Sequence, residues 1–167
     1  ETGLYKYDFE KLSLVKHYQF DINDPNSLQT SIVTSLLEKD GKLWVGSGGD
    51  GVFIYNQSID GFEKKDIKSG LASEIINKLF AIDGILFAYT QLGLNYMNSD
   101  DSYFKSIDSD DGLRLTNYNG LNFSKMKSKL IVENMNSQYS IDISMLSESI
   151  STSDVEIKGV FGTDSKN

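Results

Sequence analysis

The chain has no cysteine, one histidine and one tryptophan in 167 residues. Without cysteine it can form neither a disulfide nor a thiolate metal site, and either redox compartment is compatible with that. His17, in LVKHYQF, has no serine and carboxylate partners at a recognisable spacing. It is therefore read as an edge residue of an outer strand rather than as a catalytic base. Basic side chains are few, 16 against 24 acidic ones, for a net charge of −8. Its lysines are scattered, and the densest spots, Lys64–Lys65 and Lys125 to Lys129, have acidic or apolar neighbours. A nucleic-acid partner needs clustered cations and is excluded on that ground. No apolar run approaches the ~18 residues of a membrane helix, and no signal peptide opens the chain. A piece cut from a longer protein would have lost both, so their absence says nothing about the parent. No stretch of ten or more residues carries a helical period.

What the chain does have is a repeat. The stretch TSIVTSLLEKDGKLWVGSGGDGVFIYNQSIDGFEKKDIKSGL, residues 30–71, is one complete unit. DGKLWVGS at Asp40–Ser47 returns as DGILFAYT at Asp83–Thr90, so that Gly41 and Gly84 stand 43 residues apart. GVFIY at Gly51–Tyr55 returns as GLNYM at Gly93–Met97, and Gly70-Leu71 returns as Gly112-Leu113, both steps of 42. GLYKY at Gly3–Tyr7 foreshadows the same motif. A period in the low forties with four short apolar strands per unit is the pattern of a β-propeller blade. The predicted class is all-β, a partial propeller of about three four-stranded antiparallel blades. Closed propellers have roughly four to eight, and Gly3 aligns with the third strand of a unit, so the chain is expected to open in mid-blade.

Strand positions follow from the alternation. Ile32–Leu37 suits the inner strand of the best unit, Leu43–Gly46 the second, Val52–Tyr55 the third and Phe62–Ile67 a charged outer edge. Asp40-Gly41 between the first two is a strong hairpin signal, because both central residues of a type I′ turn want positive φ. The next unit runs Ile75–Ile82, Asp83-Gly84, Ile85–Tyr89, Leu94–Met97 and Tyr103–Ile107. A degenerate one follows at Tyr118–Phe123, Lys129–Glu133 and Gln138–Ile143, where Lys127-Ser128 replaces Asp-Gly and Ile131 answers Trp44 and Phe87. Leu4–Tyr7 and Leu14–Phe20 give two strands of a preceding blade. The blades are expected to fill residues 1–146, with a polar linker at 147–154. Val155–Phe161, within 155–167, is one more alternating strand that fits no blade and is read as the truncated start of a following domain.

These residues resemble the two-component-regulator propeller repeats of hybrid sensor histidine kinases of gut Bacteroidetes. The resemblance is carried by DPNSL at Asp24–Leu28, by VTSLLEKDGKLWVGSGGDGVFIY from Val33, and by the Gly-Leu that opens each unit. NYNGLNF at Asn117–Phe123 is similar to the start of that family's last blade, and VEIKGVFGTDSK at Val155–Lys166 to the opening strand of the immunoglobulin-like domain that follows it. The family's Gly-Thr after the aromatic strand stands here as Gly46-Ser47, then Ala88-Tyr89, then Glu133-Asn134. The resemblance implies a periplasmic sensor region whose parent sits in the inner membrane with a cytoplasmic kinase. It implies oligosaccharide or other small-molecule ligands, and dimers.

Catalytic chemistry finds little to work with. Asp and Glu fall in turns (Asp40, Asp83, Asp100, Asp101) or on edges, positions that turn formation already explains. Asp108 to Gly112 fails as a calcium loop: with Gly112 at position six, positions one and twelve are Ile107 and Tyr118. Gly46 to Gly51 is glycine-rich but lacks the Lys-Ser/Thr and following helix of a phosphate loop. No catalytic residue, metal or cofactor is assigned. Trp44 sits mid-strand and is read as core, whereas Tyr89 and Tyr118 lie near strand ends. In a propeller the loop into each inner strand and the loop between second and third strands share one face. Those are Asp24–Ser31, Ser69–Glu74 and Asp111–Asn117, and Ser47–Asp50 and Thr90–Leu92. Ligand sites form where such loops converge, which makes Asn26, Ser47, Asp50, Ser73, Tyr89, Gln91, Asn117 and Tyr118 the candidate ligand-binding residues. The leading expectation is a non-catalytic sensor fragment. A propeller glycosidase or lyase and a protein-interaction module are the alternatives. Open blade faces make a homo-oligomer the expected state.

Overall fold

The computed structural model describes residues 2–98, 102–115, 120–134, 137–147 and 157–161. Among the described residues, fourteen strands form four antiparallel sheets. The first sheet pairs β1 (Leu4–Asp8) with β2 (Ser13–Tyr18). Three four-stranded sheets follow, each in chain order: β3 (Val33–Lys39), β4 (Lys42–Ser47), β5 (Val52–Asn56), β6 (Gly61–Lys65); then β7 (Ile76–Ile82), β8 (Ile85–Thr90), β9 (Gly93–Met97), β10 (Lys105–Ile107); then β11 (Asn122–Met126), β12 (Lys129–Glu133), β13 (Ser137–Asp142), β14 (Ile157–Phe161). Short 3-10 turns stand at Ile67–Ser69 and Ile143–Ser147.

The hairpins form where the sequence places them. Asp40 and Gly41 have φ of 53° and 70°, and Asp83 and Gly84 have 53° and 78°, the doubly left-handed pair of a type I′ turn. Lys127 takes the same turn position in the third blade at φ 57° without the help of an Asp.

Period-two alternation divides each strand between two cores. Along β8, Ile85, Phe87 and Tyr89 face the third blade, while Leu86 and Ala88 face the first. On β4, Val45 packs toward the first sheet with Tyr18, Leu28, Phe53 and Phe62, and Trp44 points the other way, onto Leu79, Leu86 and Met97. Three cores therefore lie between four successive sheets, so the two middle sheets are sandwiched on both faces, as blades are in a propeller. Trp44 and Phe87 hold the same position in consecutive blades, each directed at the next one. All six residues of β8 are buried, the run expected of a strand covered on both faces.

The inner strands are tied across blades by side chains. Thr34 Oγ1 donates to the Ile76 carbonyl at 2.6 Å, and the Leu79 N–H donates to Ser35 Oγ at 3.0 Å. The Gly-Leu signature also has a physical cause. Gly70 has φ +90°, and a Cβ there would lie 2.1 Å from the Phe104 carbonyl oxygen, so only glycine fits. The leucine after it plugs a core: Leu71 and Leu113, like Leu28 one blade earlier, are buried.

Two features depart from the sequence reading. Ile157–Phe161 lies antiparallel along β13, Ile141 opposite Ile157 and Ser137 opposite Phe161, as the outer strand of the third blade. The strand read as belonging to no blade thus has a partner within one. The inner strand of that blade runs from Asn122 to Met126 rather than from Tyr118; Tyr118 lies outside the described residues, as do residues 148–154 of the expected linker.

Candidate functional site

The loop between the second and third strands is built the same way in each blade. Ser47 Oγ donates to the Gly51 carbonyl at 2.8 Å and accepts from the Asp50 N–H at 2.8 Å. Thr90 Oγ1 donates to the Gly93 carbonyl and accepts from the Leu92 N–H, at 3.1 and 3.2 Å. Asn134 Oδ1 accepts from Ser137 N and Oγ at 2.8 and 3.0 Å. The structural equivalents are therefore Gly46-Ser47, Tyr89-Thr90 and Glu133-Asn134. The middle pair corrects the sequence alignment, which had Ala88-Tyr89, by one residue. Ser47 is fully buried and spends its hydroxyl on its own loop.

The loops differ in length. Three residues separate Ser47 from Gly51, and two separate Thr90 from Gly93. In the first blade the longer loop closes the seam to the second: Gly48 bridges Ile75, and the Gly51 N–H donates to the Glu74 carbonyl at 2.8 Å. Beside the shorter loop of the second blade lies a cleft of about 300 Å³, lined by Gln91, Leu92, Gly93, Ser109, Leu113, Arg114 and Leu115.

Arg114 is the only arginine of the chain. Its backbone is held between the buried Leu113 and Leu115, and its carbonyl accepts from Tyr139 Oη at 2.5 Å. The guanidinium is thus presented from a fixed segment. The acidic residues before it fold their own turn: Asp108 Oδ1 accepts from the Asp110 N–H at 2.9 Å, and Asp111 Oδ2 from the Asp108 N–H at 3.1 Å. The polar side chains lining the cleft are Gln91, Ser109 and Arg114. That set can hydrogen-bond hydroxyls and carbonyls and attract an anion. Its described lining carries no carboxylate pair of the kind that hydrolyses glycosides.

The candidates among the described residues fall at different places. Asp50 is half-buried in the first blade's loop at the closed first seam, and in the segment across it Ser73 Oγ accepts from the Ile75 N–H at 3.1 Å. Asn26 lies at the periphery, its carbonyl accepting from the Phe62 N–H at 2.8 Å on the outer strand. Tyr89 is 2% exposed, with its ring 5.4 Å from that of Phe123 in the core between the second and third blades. Its place near a strand end aimed it at the loop face in the sequence reading; the alternation of β8 aims it into the core instead. Gln91 is exposed and lines the cleft. Asn117 and Tyr118 lie outside the described residues. Ser109 was missed, and Arg114 fell only within a loop range; its being the sole arginine was the available signal.

No family model matches the chain and no curated protein matches it. Among solved structures it is similar to the extracellular domain of the putative hybrid two component system BT4673 from B. thetaiotaomicron, with 14% identity and a TM-score of 0.67 over 99% of this chain. A second is the extracellular domain of the putative hybrid two component system BT3049 from the same organism, at 20% identity, TM-score 0.59 and 98% coverage. The chain shares their fold. It is a partial β-propeller, and its structural neighbours are the class of protein its repeats resemble. It spans 22% of the first chain and 26% of the second.

Proposed function

We propose that this chain is part of the extracytoplasmic sensor region of a hybrid two-component histidine kinase, non-catalytic in itself and anchored through the inner membrane by its parent. The observation that carries this is the match of nearly the whole chain to two such extracellular domains. Its role is to recognise a small ligand of carbohydrate type and to pass the bound state toward the membrane. The cleft beside the second blade's shortened loop is the site, because Gln91, Ser109 and Arg114 line it together. Hydroxyl-rich ligands suit that donor and acceptor set. The parent works as a homo-oligomer.

Isothermal titration and 1H–15N correlation spectra against a panel of defined neutral and acidic oligosaccharides test this. The expected result is a saturable shift of Gln91 and Leu92, weakened at least tenfold in Gln91→Ala and Arg114→Ala. Binding that shifts other residues and ignores both variants would move the site elsewhere. Turnover of any oligosaccharide, abolished by replacing one Asp or Glu, would replace the sensor with an enzyme.

A further inference from the structure

The cleft beside the second blade's short loop contains one residue that blade packing does not call for. Arg114 follows the Gly112-Leu113 pair, and 42 residues earlier the same pair, Gly70-Leu71, is followed by Ala72. A methyl group is enough there. Leu71 is buried as Leu113 is, and the Ala72 N–H donates to Asn95 Oδ1 at 2.8 Å. The repeat can therefore be built without a cation at this position.

Nor does the arginine serve the chain's own carboxylates. Lysines do that: Lys11 pairs with Asp8, Lys16 with Asp60, Lys39 with Asp40 and Lys125 with Asp83. Arg114 is exposed and has no ion-pair partner among the described residues. The acidic residues nearest in sequence are Asp108, Asp110 and Asp111. Asp108 and Asp111 each turn a carboxylate oxygen onto a backbone N–H of their own turn, and none of the three pairs with Arg114. Residues 116–119, which follow, are Thr-Asn-Tyr-Asn and carry no charge. Among its described lining the cleft has no acidic residue.

A guanidinium is always charged, and its planar fork of donors matches a carboxylate or sulfate with two parallel hydrogen bonds, which the point charge of a lysine cannot copy. Taking the cleft as the ligand site, on which reading this rests, we propose that its ligand carries an oxyanion, a carboxylate or a sulfate, and that Arg114 selects for it. Gln91 and Ser109 bond the hydroxyls beside that group. The net charge of −8 repels anions from afar, but salt screens that field beyond about 8 Å at physiological ionic strength. Selection is then made at contact.

Because Arg114 is the only arginine, its Nε–H gives one peak of its kind in a 1H–15N spectrum. The probes are methyl glucuronoside, its methyl ester (the same sugar without the charge) and methyl glucoside 6-sulfate. The expected result is a saturable shift of the Arg114 Nε–H and of the Gln91 and Leu92 amides with at least one charged sugar, and the tighter of the two names the oxyanion. The ester should bind about tenfold more weakly, or worse, having lost the charge-assisted bonds. In Arg114→Gln the preference for the charged sugar should vanish, whereas Lys64→Gln, outside the lining, should keep it. If the ester binds as tightly as both charged sugars, the selection by charge is wrong and the cleft stands as a site for neutral sugars. If Arg114→Gln weakens charged sugar and ester alike and leaves their ratio intact, Arg114 is structural and the proposal falls. If none of the three sugars moves Gln91 and Leu92, the cleft is not the ligand site and the proposal falls with it.

Discussion

Replacing Trp44 gives the sharpest test of how the blades are held together. Trp44→Ala empties the centre of the core between the first and second blades, where the ring packs among Leu79, Leu86 and Met97. Deletion of a buried aromatic of this kind costs about 3–5 kcal/mol, a large part of the ~5–15 kcal/mol that keeps a domain folded. Trp44→Phe should behave quite differently. The indole N–H has no hydrogen-bond acceptor, so no bond is lost with it, and relief of a buried donor, about 1–3 kcal/mol, offsets the lost ring volume. The next blade already carries Phe at this position. The phenylalanine variant should therefore lie within about 1 kcal/mol of the parent. Urea unfolding followed by far-UV circular dichroism is the assay, because the substitution removes the only fluorophore of its type. With a slope of about 1–3 kcal/mol per molar urea, the alanine variant should lose roughly 2 M in midpoint, and the phenylalanine variant a few tenths. Equal losses in the two would refute the assignment of an unbonded indole and the equivalence with Phe87.

Other expectations follow from single contacts. Asp60 accepts from Lys16 Nζ, Tyr55 Oη at 2.6 Å and Tyr18 Oη at 2.7 Å, and these bonds hold its carboxyl well below the usual carboxylate range. A depressed carboxylate stabilises the fold above its unfolded value, near 3.9, and that contribution is lost as pH falls through the folded value. Asp60→Asn should therefore loosen the first sheet from the first blade at pH 7, and the gap to the parent should close only on strong acidification. Hydrogen exchange of β2 amides reads this, and a gap that is pH-independent from 7 down would contradict it. Gly70→Ala must accept φ +90° and the Phe104 carbonyl, and should cost more than about 1–2 kcal/mol by urea unfolding; a neutral result would deny that the Gly-Leu motif is a packing device. Light scattering coupled to size exclusion should show self-association of the isolated chain, and a clean 18.7 kDa monomer at all concentrations would sink that expectation.

Much of the architecture is legible in the residues because local signals agree with the global pattern. Asp-Gly at 40–41 and 83–84 fixes two hairpins, and the alternation of β4 and β8 sends Trp44 and Phe87 to the correct core. The departures have physical sources. Aligning Ala88-Tyr89 with Gly46-Ser47 slips the register by one residue, and in a strand such a slip exchanges the two faces. The step of 43, from Gly41 to Gly84 and from Trp44 to Phe87, sets Tyr89-Thr90 there instead, the register the structure has. Tyr89 was aimed at the loop face by its nearness to a strand end, and the alternation of β8 turns it into the core. Val155–Phe161 looks orphaned because a strand's partner is not encoded in its own sequence, and a long connection separates it from β13. The loop-face cleft was half legible: Gln91 came from topology, but Ser109 and Arg114 join it only through the fold of the connection into the third blade, which no repeat spacing encodes.

The central claim is that this propeller segment belongs to a membrane-anchored sensor, and sequencing the gene beyond both ends of the chain tests it most directly. Further blades of the same period are expected upstream, and downstream an apolar helix of about 20 residues followed by a histidine kinase domain. A stop codon or a hydrolase domain directly after residue 167, with no such helix, would contradict it.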